Sequence, residues 1–149
     1  MITKACCGFG HRTIMKNIEN SIYSAVLLAA QEGCKTFYTG GMGDFDMQFS
    51  SAVRKLRIRF PNIKLIYIKP YFTNEINTNG EYYAAMYDDI VIPPAIIGVH
   101  YKRAITARNR WMVDNSDLIV SYIIRDYGGA ADTIKYAKRM DKRIISLAE

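Results

Sequence analysis

Apolar and polar positions recur along this chain in two alternating rhythms, one suited to buried strands and one to amphipathic helices. Ile2 to Gly8 is a short run of small apolar residues broken by Gly8 and Gly10, which predicts a buried strand entering a turn. Ile14, Ile18, Ile22, Val26 and Ala29 follow at spacings of three and four, predicting a helix that closes at Gly33. The unit then repeats. Lys35 to Thr39 is a strand, Gly40-Gly41-Met42-Gly43 a turn, and Phe49, Ala52, Val53, Leu56 and Phe60 the inward line of a helix stopped by Pro61. Ile63 to Ile68, rich in β-branched residues, makes a third strand that ends at Lys69-Pro70.

Tyr71 to Gly80 turns polar and predicts an exposed loop, a candidate flap over a site. Beyond it, Ile90 to Ile92 is a short strand. Lys102 to Asn115 is a helix presenting Ile105 and Met112, and Leu118 to Ile124 a further strand. Gly128-Gly129 opens a last helix with Ala130, Ile134 and Ala137 inward, and Arg143 to Leu147 closes the series as a strand. Strands alternating with helices imply parallel pairing, so the predicted fold is a single α/β domain spanning 1–149, with a mostly parallel central sheet.

Composition agrees with that reading. At 149 residues, half of them hydrophobic, the chain has the material for one continuous core. The net charge of +6 attracts anionic partners, although much of the excess falls at two predicted helix ends, where cations favour the dipole. Cys6, Cys7 and Cys34 form neither a disulfide framework nor a metal spacing, and no apolar run reaches membrane-spanning length. A cytoplasmic protein with no metal, no cofactor and no membrane partner is expected.

Three predicted strand ends lead into glycines: Gly8 and Gly10; Gly40, Gly41 and Gly43; and Gly128 and Gly129. In a parallel sheet such ends share one edge, where glycine allows close approach and the following helix N-termini suit phosphate. The competing reading is that tight turns need glycine whatever they bind. No G-x-G-x-x-G or Walker pattern occurs, which disfavours ordinary dinucleotide or ATP-hydrolysis chemistry. His11 and Arg12 sit just past the first turn, Arg12 as a phosphate clamp and His11 as a hydrogen-bond donor. Asp44 and Asp46 follow the second turn. Asp44 is the better-placed helix cap, leaving Asp46 as the candidate nucleophile or base, or as a partner for ribose hydroxyls. Arg110 and Asp114 belong to a dense polar cluster before the fourth full strand and are candidates to reach and orient a phosphate.

The ordered set Cys7-Gly8-Phe9-Gly10-His11-Arg12, Gly40-Gly41-Met42-Gly43-Asp44-Phe45-Asp46, Asn109-Arg110-Trp111-Met112-Val113-Asp114 and Gly128-Gly129 resembles the YpsA-like branch of the SLOG superfamily over nearly the whole chain. The resemblance implies a Rossmann-like three-layer fold with helices on both faces. It also implies kinship with the cytokinin-activating phosphoribohydrolases and the core of DNA-processing protein A, and members that bind nucleotides, nucleotide-derived signals or single-stranded DNA. The phosphoribohydrolase stretch P-G-G-x-G-T-x-x-E is altered here, with Lys135 where its glutamate would stand. The favoured function is therefore binding of a nucleotide-like, phosphate-bearing small molecule by a sensor, carrier or sequestering protein. The alternatives are nucleotide N-glycosidase or base-transfer chemistry through Asp46, and single-stranded nucleic-acid binding supported by Tyr67, Tyr71, Tyr82 and Tyr83. Relatives assemble, so a homo-oligomer is also expected.

Overall fold

The computed structural model describes residues 4–74 and 78–148. Its strands are β1 (Lys4–Gly10), β2 (Cys34–Thr39), β3 (Lys64–Ile68), β4 (Asp89–Val91), β5 (Leu118–Tyr122) and β6 (Arg143–Ser146). They form one sheet in the order β4-β3-β2-β1-β5-β6, with every adjacent pair parallel. The described helices are α1 (Glu19–Gln31), α2 (Gly43–Leu56), α3 (Gly80–Met86), α4 (Tyr101–Asp114) and α5 (Gly129–Arg139), with a 3-10 turn at Pro94–Ile96. The order runs outward from β1 to β4 and then restarts at β5 on the other side of β1. The carboxyl ends of β1 and β5 thus flank the switch point where open α/β sheets hold ligands.

Two cores lie on opposite faces of the sheet and complete a Rossmann-like three-layer α/β architecture. One joins Ile22 and Val26 of α1 to Phe45, Phe49 and Val53 of α2 over Cys6, Phe37 and Val120. The other sets Met112 and Val113 of α4 and Ile134 and Ala137 of α5 against Cys7, Phe9 and Ile119. Every residue of β5 is buried, as expected of a strand covered on both faces. All three cysteines are buried and free.

The structure corrects the expected bounds in several places. The first helix begins at Glu19, whereas Ile14 and Ile18 are buried in irregular backbone before it. Side chains of α2 hold that segment out of a helix: Ile14 N–H donates to Asp44 Oδ2 at 3.0 Å and Ile18 N–H to Gln48 Oε1 at 2.8 Å. The expected loop ends in the short helix α3; of Tyr71 to Gly80, residues 75–77 lie outside the described part. Helix α4 turns Ala104, Arg108 and Met112 inward rather than Ile105, and α5 buries Ala131 rather than Ala130. No described helix is long and apolar enough to cross a membrane.

Candidate functional site

The turns after β1, β2 and β5 meet at the carboxyl edge of the sheet around a cleft of about 300 Å³. Gly10, His11 and Arg12 enter it from β1, Gly40, Met42 and Asp46 from the β2–α2 turn, and Arg125, Gly128 and Gly129 from the β5–α5 turn. Helix α4 supplies Ile105, Arg108 and Asn109. Three guanidiniums and one carboxylate therefore line the cleft, beside the start of α5. Gly128 is the N-cap of α5 at φ 99°, a left-handed conformation suited to glycine, and no side chain caps the helix. The first amides of α5 remain available to an anion.

Arg108 is 2 % exposed and organises the floor. Its Nη1 donates to Gly40 O and Ile68 O, both at 2.9 Å, tying the ends of β2 and β3 together. Its Nη2 reaches Met42 Sδ at 3.4 Å, and Arg12 Nη2 approaches the same sulfur at 3.9 Å. Arg12 is itself exposed, a cation with no carboxylate partner among the described residues.

Asp46 is half-buried beside these cations. Its Oδ2 accepts the Met42 N–H at 2.8 Å, so Asp46 rather than Asp44 satisfies the amide at the N-cap of α2. Asp44 is exposed and serves the segment before α1, accepting from Ile14. Burial pushes the Asp46 carboxyl up from 3.8 to about 6, against the opposing pull of the Met42 amide, Arg108 and Arg12. A carboxyl titrating there is able to exchange a proton near neutral pH.

His11 is 3 % exposed and its Nε2 accepts the Ile124 N–H at 3.0 Å. That bond fixes the proton of the neutral ring on Nδ1. Burial, and then the neighbouring Arg125 charge, lower its pKa below 6.5.

The other expected site residues sit elsewhere. A Cβ on Gly8 would meet Phe49 at 2.6 Å, one on Gly41 would meet Tyr67 at 2.7 Å, and one on Gly43 would meet the Arg12 backbone at 2.5 Å, so these glycines serve packing. Arg110 and Asp114 lie outside the cleft: the Arg110 guanidinium stands 4.7 Å from the Tyr136 ring centroid, and Asp114 accepts the Tyr136 hydroxyl at 2.6 Å. Helical geometry explains this placement, because Arg108 shares the inward line with Ala104 and Met112 while Arg110 is two residues, about 200°, away. Arg108 and Arg125 escaped the sequence reading. The available signal for Arg108 was its spacing of four from both Ala104 and Met112.

Tyr67, Tyr82, Tyr83 and Tyr87 form a separate cluster beyond the β2–α2 turn. Tyr67 packs on Tyr87 with ring centroids 5.0 Å apart and on Tyr83 at 6.3 Å, next to a cavity of about 150 Å³ that Arg54 also lines.

No family model and no curated protein matches the chain. Among solved structures it is similar to DNA processing protein A from Helicobacter pylori, in a study of that protein's single-stranded DNA binding mode. The TM-score is 0.65 at 14 % identity, over 97 % of this chain and 65 % of that one. It is likewise similar to DNA processing protein A from Streptococcus pneumoniae, with TM-score 0.65 and 13 % identity over 97 % of this chain. The chain spans 65 % and 50 % of the length of these two neighbours, and the likeness is one of fold.

Proposed function

We propose that this chain binds a phosphate-bearing nucleotide at the carboxyl edge of its sheet and acts as a sensor, carrier or sequestering protein. One observation carries the reading: Arg12, Arg108, Arg125 and the uncapped start of α5 line a single cleft at the topological switch point. Arg12 is the residue free to clamp a phosphate, since Arg108 is already committed to two carbonyls. His11 Nδ1–H and the upper edge of Asp46 are suited to polar groups of the sugar. The motif resemblance to the YpsA-like branch of the SLOG superfamily supports the same reading, and so does the altered phosphoribohydrolase stretch, with Lys135 in place of the glutamate.

A second reading, single-stranded nucleic acid, is favoured by the fold shared with DNA processing protein A and by the net charge of +6. N-glycosidic cleavage through Asp46 stands as the enzymatic alternative, motivated by a carboxyl poised near 6. Calorimetric titration with adenosine 5′-monophosphate tests the leading reading. Saturable binding is expected, weakened about tenfold or more by Arg12→Ala, with no adenine released on prolonged incubation. Absence of binding, or binding indifferent to Arg12→Ala, sinks it; released adenine replaces it with the enzymatic reading.

A further inference from the structure

The tyrosine cluster encloses a cavity of about 150 Å³ that the phosphate cleft does not use. Tyr67, Tyr82, Tyr83 and Tyr87 wall it, together with Ser50 and Arg54 of α2. The rings brace one another. Tyr67 and Tyr87 each lie 6.3 Å from Tyr83, centroid to centroid, and Tyr82 meets Tyr83 edge-on at 5.3 Å. A cavity of about this volume is the size that takes up benzene, so there is room for a single six-membered ring.

Two polar groups in the wall have unused capacity. Ser50 is 2 % exposed and its hydroxyl, beside the Tyr87 phenol, closes no hydrogen bond with any described residue. Buried hydroxyls are normally paired, so one left open on a cavity wall points to a ligand atom. Arg54 is half-buried, and its guanidinium makes one long hydrogen bond among the described residues, from Nη1 to Met86 O at 3.4 Å. Glu19, a carboxylate near it, is taken by Lys55. Tyrosine cages suit cations, but a guanidinium in the wall repels a cation and favours a carboxylate. Burial raises the Tyr87 phenol above its ordinary range, which keeps that hydroxyl neutral beside an anion. Ser50 and Arg54 stand one helical turn apart on the same face of α2, so a ligand with an anion at one end and a hydroxyl at the other spans both.

We propose that this cavity is a second ligand site, separate from the cleft, for a small hydroxylated aromatic carboxylate of one ring. Arg54 pairs with the carboxylate, the tyrosines pack against the ring, and Ser50 completes its hydrogen bond on the ligand hydroxyl. The site stands independently of the nucleotide reading.

The test titrates 4-hydroxybenzoate into the ¹⁵N-labelled full chain and follows the amide spectrum. Saturable binding with a Kd of about 1 mM or tighter is expected, with shifts centred on Gly41, Ser50 and Arg54. 4-Hydroxybenzyl alcohol, which lacks the charge, should bind about tenfold more weakly, and cyclohexanecarboxylate about fivefold more weakly than benzoate. Arg54→Met should erase the preference for the acid over the alcohol. Ser50→Ala, which removes a hydroxyl the fold leaves unpaired, should weaken 4-hydroxybenzoate about threefold and leave benzoate unchanged. No saturable shift up to about 10 mM, shifts centred on Arg12 and Gly128, or an acid preference that survives Arg54→Met overturns the proposal. Adenosine 5′-monophosphate at saturation should leave the affinity within about twofold, and competition between the two ligands would overturn the separateness of the site.

Discussion

Arg108 and Gly40 fit each other: the guanidinium donates to Gly40 O at 2.9 Å, and a Cβ on Gly40 would stand 3.0 Å from Arg108 Cζ. The glycine clears space for a buried cation, and the cation satisfies the carbonyls ending β2 and β3. Arg108→Met strands two carbonyls and is expected to cost about 3 kcal/mol. Gly40→Ala alone should cost about 1 kcal/mol by crowding the guanidinium, and less in the Arg108→Met background. Urea unfolding of the four members of this cycle reads the coupling, and strict additivity would contradict the fit.

Much of the architecture was legible because it rests on local signals. The apolar rhythm of Phe49, Ala52, Val53 and Leu56 survives directly as the buried face of α2, and the β-branched run Ile63 to Ile68 overlaps β3. The three glycine turns meet at one edge because parallel strands leave them no other place. What the sequence hid depends on distant partners. Ile14 and Ile18 keep the spacing of a helix yet remain outside it, since Asp44 and Gln48, thirty residues on, take their amides. Arg108 was hidden for a related reason, because an arginine is rarely buried without partners, and its partners, Gly40 O and Ile68 O, come from other strands.

Asp46 makes anion binding depend on pH. Its carboxyl titrates at about 6, so above that value it sets a negative charge beside the arginines, and below it the charge is gone. A phosphodiester keeps its single charge across this range. Affinity for a dinucleoside monophosphate, whose one phosphate is a diester, should therefore rise as pH falls from about 7.5 to about 5, and Asp46→Asn should flatten the rise while binding tightly throughout. An Asp46→Asn chain with the wild-type pH profile would remove Asp46 from the cleft's electrostatics.

Two glycines of the region should answer alanine in opposite ways. A Cβ on Gly10 would lie 2.3 Å from Phe45 Cγ, and Phe45 is fully buried, so Gly10→Ala should cost about 2 kcal/mol by overpacking. Gly129 has nothing within 4 Å of its added Cβ and lies in the first turn of α5, so Gly129→Ala should leave stability within about 0.5 kcal/mol or raise it. Gly129 lines the cleft proposed for the phosphate, and nucleotide affinity should drop although the fold is intact. Thermal melts paired with titrations separate the two effects; loss of stability in Gly129→Ala would contradict the assignment.

His11 links stability to pH in the direction opposite to Asp46. Burial holds its folded pKa below 6.5, and its Nε2 accepts the Ile124 N–H only while the ring is neutral. The unfolded chain then binds the proton more readily, so the stabilisation is complete above about 6.5 and fades as pH falls from there through the lowered folded value. Asp46 contributes the reverse trend between 3.8 and about 6, because its folded pKa is raised and the folded chain holds the proton. The His11 contribution is therefore cleanest in the Asp46→Asn background. There, the urea midpoint should fall between about pH 7.5 and about pH 5, and His11→Gln, whose Oε1 can take the same amide, should reduce that fall. An undiminished fall in His11→Gln would assign the acid sensitivity to another group and leave the His11–Ile124 bond a packing contact without linkage to protons.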